Sequence, residues 1–219
     1  MTETEPLSLM LLDVRLARVS LIRPYVGKDS PIDPITGKAV GKYHVDAILL
    51  TTHPQLQKIK DLMRLAATNL FKNETEQALI QMAAQDKLAL HRGDITRAGK
   101  PEYAGKLYLS ASNDVQPTVV VSENGVNLST EPGSPTPLAY SHPSFPYSGS
   151  HGNLIVTFRA YNHPKGGKGI SCYLKGVQFV RHDARLAGAS VASAKEFGIV
   201  ASQADAAPPT QVSGGEGLI

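Results

Sequence analysis

The stretch Asn153–Arg181, NLIVTFRAYNHPKGGKGISCYLKGVQFVR, decides the fold class. Asn153 to Tyr161 and Ile170 to Arg181 both alternate apolar and polar residues, and the Gly- and Lys-rich run Asn162–Gly169 separates them. An alternation of period two marks a strand with one face buried, so the two arms predict a β-hairpin with a basic tip. Parity then assigns the faces. Leu154, Val156, Phe158 and Ala160 share the inward face with Ile170, Cys172 and Leu174. Arg159 and Tyr161 fall on the outward face, with Ser171, Tyr173, Lys175, Val177, Phe179 and Arg181. That outward face is half aromatic and half cationic.

The rest of the chain fits a mainly β fold with a helical insertion. Leu9 to Ile22 reads as a long strand that Pro24 ends, followed by a Pro- and Gly-rich loop bearing Lys28 and Lys38. Lys42 to Thr51 returns to strand character. His53-Pro54 looks like a helix start, and apolar residues at helical spacing continue to Leu70. Asn73, with Glu76 three residues on, predicts a capped second helix, so the helical insertion spans about residues 54–85. Strands follow near Gly105–Ala111, with Lys106 and Tyr108 on one face, and at Thr118–Ser122. Five prolines between 132 and 146 predict a surface loop over about 129–147. From 187 to 219 the chain is Ala, Ser, Gly, Pro and Gln with few large apolar groups, the composition of a flexible tail. Strands, one helical insertion, then strands again describe an α+β chain whose body, residues 1–186, is a small antiparallel barrel with long loops.

Charge narrows the partner. The 219 residues carry a net +3, but residues 15–185 hold 21 Lys and Arg against 13 Asp and Glu, a body at +8. Such a body attracts a polyanion. One cysteine excludes an internal disulfide framework, and no Cys/His spacing fits zinc, so no metal and no cofactor is expected. Glu3 and Glu5 stand where an export signal needs positive charge, and Leu7–Leu12 is too short to span a bilayer. These features predict no membrane partner and a cytoplasmic location.

Aromatic rings interleaved with Lys and Arg on an open sheet suit single-stranded nucleic acid: bases stack on the rings and cations follow the phosphates. The predicted phosphate contacts are Arg15, Arg18, Lys42, Arg159, Lys165, Lys168, Lys175 and Arg181, and the predicted stacking platforms are Tyr43, Tyr108, Tyr161, Tyr173 and Phe179. Gly166-Gly167-Lys168-Gly169 is not a P-loop, since Lys168 precedes Gly and a strand where that motif needs Ser or Thr and a helix. Catalytic signatures are thin. Asp94 and Glu102 supply the alternative of a metal-dependent DNA-processing enzyme, and a structural or assembly protein whose basic face meets an acidic partner is the third reading.

The blocks ARVSLIRPY (Ala17–Tyr25), GKYHVDAILL (Gly41–Leu50), RGD…GKPEYAGKLYLSAS (Arg92–Ser112), YSGSHGNLIVTFRAYN (Tyr147–Asn162) and GGKGISCYLKGVQFVRHDARL (Gly166–Leu186) resemble a family of bacteriophage single-stranded DNA-binding proteins. The blocks run in order over most of the chain. The resemblance implies an OB-type five-stranded antiparallel barrel. It also implies a non-catalytic protein that coats single-stranded DNA in phage replication or recombination within the host cell. Duplex DNA would bind more weakly, and phage or host replication proteins would be further partners. Bacterial single-stranded DNA-binding proteins end in an acidic recruiting peptide, whereas this chain ends Gly-Gly-Glu-Gly-Leu-Ile. Recruitment through tail charge is therefore not expected.

Overall fold

The hairpin forms, and its ladder is longer than the sequence suggests. In the computed structural model, which describes residues 7–28, 30–164 and 166–186, strand β7 (His151–His163) pairs antiparallel with strand β8 (Gly167–Arg181) up to His163↔Gly167. The connecting turn is therefore short, and Lys168 and Gly169 belong to the strand. Lys165 and the tail 187–219 lie outside the described residues.

Six further strands and two main helices complete the chain. They are β1 (Ser8–Tyr25), β2 (Lys42–Leu49), α1 (Leu56–Phe71), α2 (Thr75–Ala84), β3 (Leu90–Arg92), the single turn α3 (Gly93–Thr96), β4 (Leu107–Asn113), β5 (Thr118–Glu123) and β6 (Val126–Ser129). β1 is long enough to serve two neighbours: its first half pairs with β7 and its second with β2. The register slips between Leu11 and Val14 and between Ala17 and Ser20, where Asp13 and Arg18 take positive φ angles of 45° and 49°. Such bulges bend a strand and strengthen its twist, and β1 curls accordingly. β2 pairs with β4, and β4 pairs in parallel with β8 through Ala111↔Cys172 and Ser112↔Tyr173. That last pairing closes the ring β1-β2-β4-β8-β7. Counted among themselves, the ring strands run 1-2-3-5-4, the OB arrangement, as expected. β3 and the β5–β6 hairpin extend the sheet outside the ring.

The ring interior is apolar. Leu11, Leu16, Val45, Leu49, Leu109, Leu154, Val156, Phe158 and Leu174 are essentially inaccessible. Each such side chain contributes roughly 1.5–3 kcal/mol of transfer free energy. α1 adds Ile59, Leu62, Met63 and Ala66 to the same core and α2 adds Ala78 and Met82. The helix boundaries differ from those read in the sequence. α1 starts at Leu56, and Asn73 sits in one 3₁₀ turn (Lys72–Glu74). Glu76 pairs with Arg64 on α1 and does not close a capping box. Pro24 lies within β1, in the irregular stretch between Ser20↔His44 and Tyr25↔Lys42, where no regular ladder needs its missing N–H.

A second, smaller cluster covers the outside of β1, β2 and β4. Ala17, Ile48 and Tyr108 pack there with Tyr103, which belongs to the covering segment 93–106. Beside them Asp46, with its side chain fully inaccessible, accepts hydrogen bonds from Tyr103 Oη and His44 Nε2, both at 2.8 Å. Arg97 and Arg18 add ion pairs at 3.5 and 3.7 Å. Burial alone pushes the Asp46 carboxyl pKa up, but the His44 and Tyr103 bonds and the charges of His44 and Arg18 outweigh it and hold the group below its usual value. The Tyr103 hydroxyl is pushed up by burial and by the neighbouring carboxylate.

Removing the buried carboxylate leaves Arg97, Arg18 and Tyr103 without their common partner. Asp46→Asn is expected to cost about 3–5 kcal/mol at pH 7, read from urea unfolding. A depressed folded-state pKa stabilises above the unfolded value of about 3.9 and that stability is lost as pH falls through the folded value. The gap between wild type and variant therefore narrows towards pH 3.

Candidate nucleic-acid interface

Parity and register together define the outer face of the hairpin. Thr157, Arg159 and Tyr161 on β7 stand opposite Tyr173, Ser171 and Gly169 on β8. Arg159, Tyr161, Tyr173 and Lys175 are thus brought together as the sequence predicts. Tyr161 holds its position because Gly169 is its partner: a Cβ at Gly169 would overlap the phenol ring. The ring consequently lies across the neighbouring strand.

Beyond Leu174 the simple alternation fails. The pairing passes from Val156↔Leu174 to Ile155↔Gly176, so Lys175 is an extra residue and the faces exchange. The bulge falls where the edge of β8 changes partner from β4 to β5. Asn113 Nδ2 donates to Leu174 O there at 2.9 Å. Val177 is accordingly buried and Phe179 packs against the core, its ring 4.7 Å from that of His182. A second irregularity at Val180 returns Arg181 to the outside, at the far end of the hairpin. It pairs there with Asp13 at 3.2 Å, next to His151.

The other predicted residues scatter. Tyr108 is 2% exposed, stacked on His91 at 5.0 Å with the Arg97 guanidinium 5.1 Å from its ring centre. Leu109, on the opposite face of β4, is equally buried, because the segment 93–106 covers the outside. Tyr43 shares the inward parity of Val45 and is half-buried. Lys168 turns towards the helices, its Nζ 3.0 Å from Glu74 Oε2 and 5.0 Å from the centre of the Phe71 ring. Arg15 pairs with Asp183 and donates to Ala184 O, Arg18 pairs with Asp46, and Lys42 pairs with Asp114 at 3.4 Å. Among the described residues Arg159 and Lys175 have no carboxylate at ion-pair distance, which separates them from the other candidate cations.

Three adjoining depressions run along the outer face. One of about 610 Å³ lies between Tyr161 and Lys87. It shares Arg159 and Tyr173 with a second of about 540 Å³, which shares Lys175 with a third of about 370 Å³. The band also continues sideways through the ladder, Thr157–Tyr173–Ser112–His44. There it meets a groove of about 470 Å³ lined by Tyr25, Lys28, Lys42, His44 and Ser112. Tyr25, 57% exposed, was not among the sequence candidates. Its signal was present: a tyrosine at a strand end beside a basic, Pro- and Gly-rich loop.

Of the two residues raised for catalysis, Asp94 has a structural partner. Asp94 Oδ1 accepts the Gly105 N–H at 2.7 Å and so shapes the segment over Tyr103. Burial pushes the Cys172 thiol pKa far up. Among the described residues no group of three or more His, Cys, Asp or Glu is placed to hold a metal ion, and no helix is long and apolar enough to cross a membrane.

Comparison with known proteins adds a family. The sequence model described as "Enterobacter phage Enc34, ssDNA-binding protein" matches residues 29–207. A protein called p50 from Acyrthosiphon pisum secondary endosymbiont phage 1 is 41% identical over 95 residues, which span 43% of this chain and 44% of that relative. The match thus covers less than half the length of that relative. Among solved structures, the single-stranded DNA-binding protein of bacteriophage Enc34 in complex with ssDNA superposes with a TM-score of 0.61 at 23% identity, covering 82% of this chain and 89% of that one. A C-terminal truncation of the same phage protein gives 0.60 at 23%, covering 81% and 87%. At such identity the superpositions speak for the fold.

Gly169→Ala is expected to displace the Tyr161 ring and leave the barrel intact. In NMR spectra the ring resonances of Tyr161 shift while core amides such as Leu154 and Leu174 keep theirs.

Proposed function

Because the chain belongs to the Enterobacter phage Enc34 single-stranded DNA-binding protein family, we propose that it binds single-stranded DNA along the outer face of the β7–β8 hairpin. Arg159 and Lys175 contact phosphates, and Tyr161 and Tyr173 stack bases. The observation that carries this reading is the pair of cations with no carboxylate partner among the described residues, beside two half-exposed rings on one ladder. A cation already paired with a carboxylate must give up that partner to meet a phosphate, so the unpaired ones contribute most. The groove by Tyr25, Lys28 and Lys42 extends the path to the neighbouring strands.

Stacking on a ring tolerates any base, so this mechanism coats a strand with little sequence preference. It requires no chemistry on the DNA, and we read the protein as non-catalytic. Coating during phage replication or recombination in the host cytoplasm is the role that follows. Duplex DNA has its bases stacked internally and offers only phosphates to this surface, so it binds more weakly. Phage or host replication proteins are partners of the same reading.

Two measurements test it. Arg159→Ala and Lys175→Ala are each expected to reduce the salt dependence of oligo-dT binding, lowering the slope of log K against log salt by about 0.7. An unchanged slope in both overturns the phosphate assignment. Tyr161→Ala and Tyr173→Ala are expected to weaken oligo-dT binding by about 1–3 kcal/mol each, with a much smaller effect on duplex. Equal losses on both nucleic acids mean that the rings do not stack bases.

A further inference from the structure

β5 and β6 lie outside the five-stranded ring, and the third depression of the band, about 370 Å³, is where they meet it. Its volume falls within the range of small-ligand sites, about 300–1,000 Å³. Met10 and Ile155, cross-strand partners on β1 and β7, form one wall and are 49% and 42% exposed. Gly176 forms the floor. It faces outward opposite Ile155, and a Cβ there would project between Ile155 and Thr118, 3.3 Å from the Thr118 carbonyl oxygen. The missing side chain leaves a slot with apolar sides. None of the residues lining it is acidic, and Lys175 stands where it joins the neighbouring groove.

The polar edge of this slot has a direction. The backbone N–H of Asp13 donates to Asn153 Oδ1 at 2.9 Å. A backbone N–H can only donate, so it fixes which way the Asn153 amide lies. Asn153 Nδ2 then donates to Gln178 Oε1 at 2.8 Å, and Gln178 Nε2 to Ser122 Oγ at 3.2 Å. The Ser122 hydroxyl donates in turn to Asn127 Oδ1 at 2.7 Å. The relay crosses β1, β7, β8, β5 and β6 and ends on Asn127. Its oxygen is occupied, and its Nδ2 has no acceptor among the described residues. Each amide oxygen along the relay already accepts one hydrogen bond, whereas the Asn127 amide hydrogens are uncommitted among the described residues, so this edge of the slot offers a donor.

We propose that this slot is a nucleobase subsite with a preference for a keto edge, thymine over cytosine. The proposal rests on the single-stranded DNA reading and adds to it a mild base preference at one position of the bound strand. The flat floor and apolar wall admit a planar ring, and Asn127 Nδ2 meets the thymine O4 acceptor. Cytosine presents an amino donor at the same edge, which leaves two donors facing each other. The slot lies beyond Lys175 on the continuous band, so a strand following the band delivers a base to it.

The test is fluorescence anisotropy of the full chain with labelled oligo-dT and oligo-dC of equal length. The expected result is tighter binding of oligo-dT by about two- to tenfold, the effect of one hydrogen bond. Asn127→Ala, an exposed position on β6, is expected to abolish that ratio, weakening oligo-dT binding while removing the donor that opposes the cytosine amino group. Gly176→Val fills the slot and is expected to abolish the ratio as well, with its folding checked by thermal melting. Equal affinities in the wild type, or a ratio that survives Asn127→Ala, overturn the subsite and leave the broader reading standing. Absence of binding to both oligonucleotides overturns the single-stranded DNA reading, and the subsite with it.

Discussion

A carboxylate without access to water governs how this barrel can be used. Asp46 points outward from β2, where an OB barrel ordinarily has an open face, yet its side chain is fully inaccessible. Burying a charge is tolerable only when its lone pairs are satisfied, and here His44, Tyr103, Arg97 and Arg18 all converge on it. The cost of that arrangement is surface. The segment 93–106 is pinned over β1, β2 and β4, and Tyr108 and Ile48 become a small second core. What remains open on that side is the end by His44 and Ser112, and the long uncovered face passes to β7 and β8.

The same logic sorts the cations. A body at +8 suggests many equivalent contacts, but most of the candidates already neutralise a carboxylate. Lys168 holds the hairpin against the 3₁₀ turn between α1 and α2 through Glu74, and Arg15 and Arg181 tie the opposite end of the barrel to Asp183 and Asp13. These residues maintain the scaffold. Arg159 and Lys175, which pair with no carboxylate among the described residues, supply charge to the candidate surface on the hairpin.

The sequence made the hairpin legible because alternation survives wherever a ladder is regular. Parity assigned Leu154, Val156, Phe158, Cys172 and Leu174 to the interior, and Arg159, Tyr161 and Tyr173 to the exterior, from spacing alone. The alternation breaks at Lys175, which stays outside as assigned, so that Val177 and Phe179, assigned outward, turn inward. A bulge there depends on β8 changing its neighbour from β4 to β5, a fact about distant strands that no local pattern encodes. Tyr108 misled for a related reason. Its exposure depends on whether a separate segment folds over it, and the residues that do so, Tyr103 and Arg97, sit in a stretch with no periodicity to read. The groove beside Tyr25 was half legible, since its lysines were seen but its ring was not.

The parallel pairing of Ala111 with Cys172 and Ser112 with Tyr173 is the seam of the barrel. It joins strands separated by about sixty residues, and one of them is the last strand of the described chain. Until β8 emerges from the ribosome, β4 has an unsatisfied edge and β7 is paired on the β1 side alone, so the ring cannot close during most of synthesis. Contacts of such long range are slow to form and leave open edges exposed while they wait. The ring therefore closes late, and a chain cut short before Gly167 is not a smaller version of it but an open sheet prone to pairing with its neighbours.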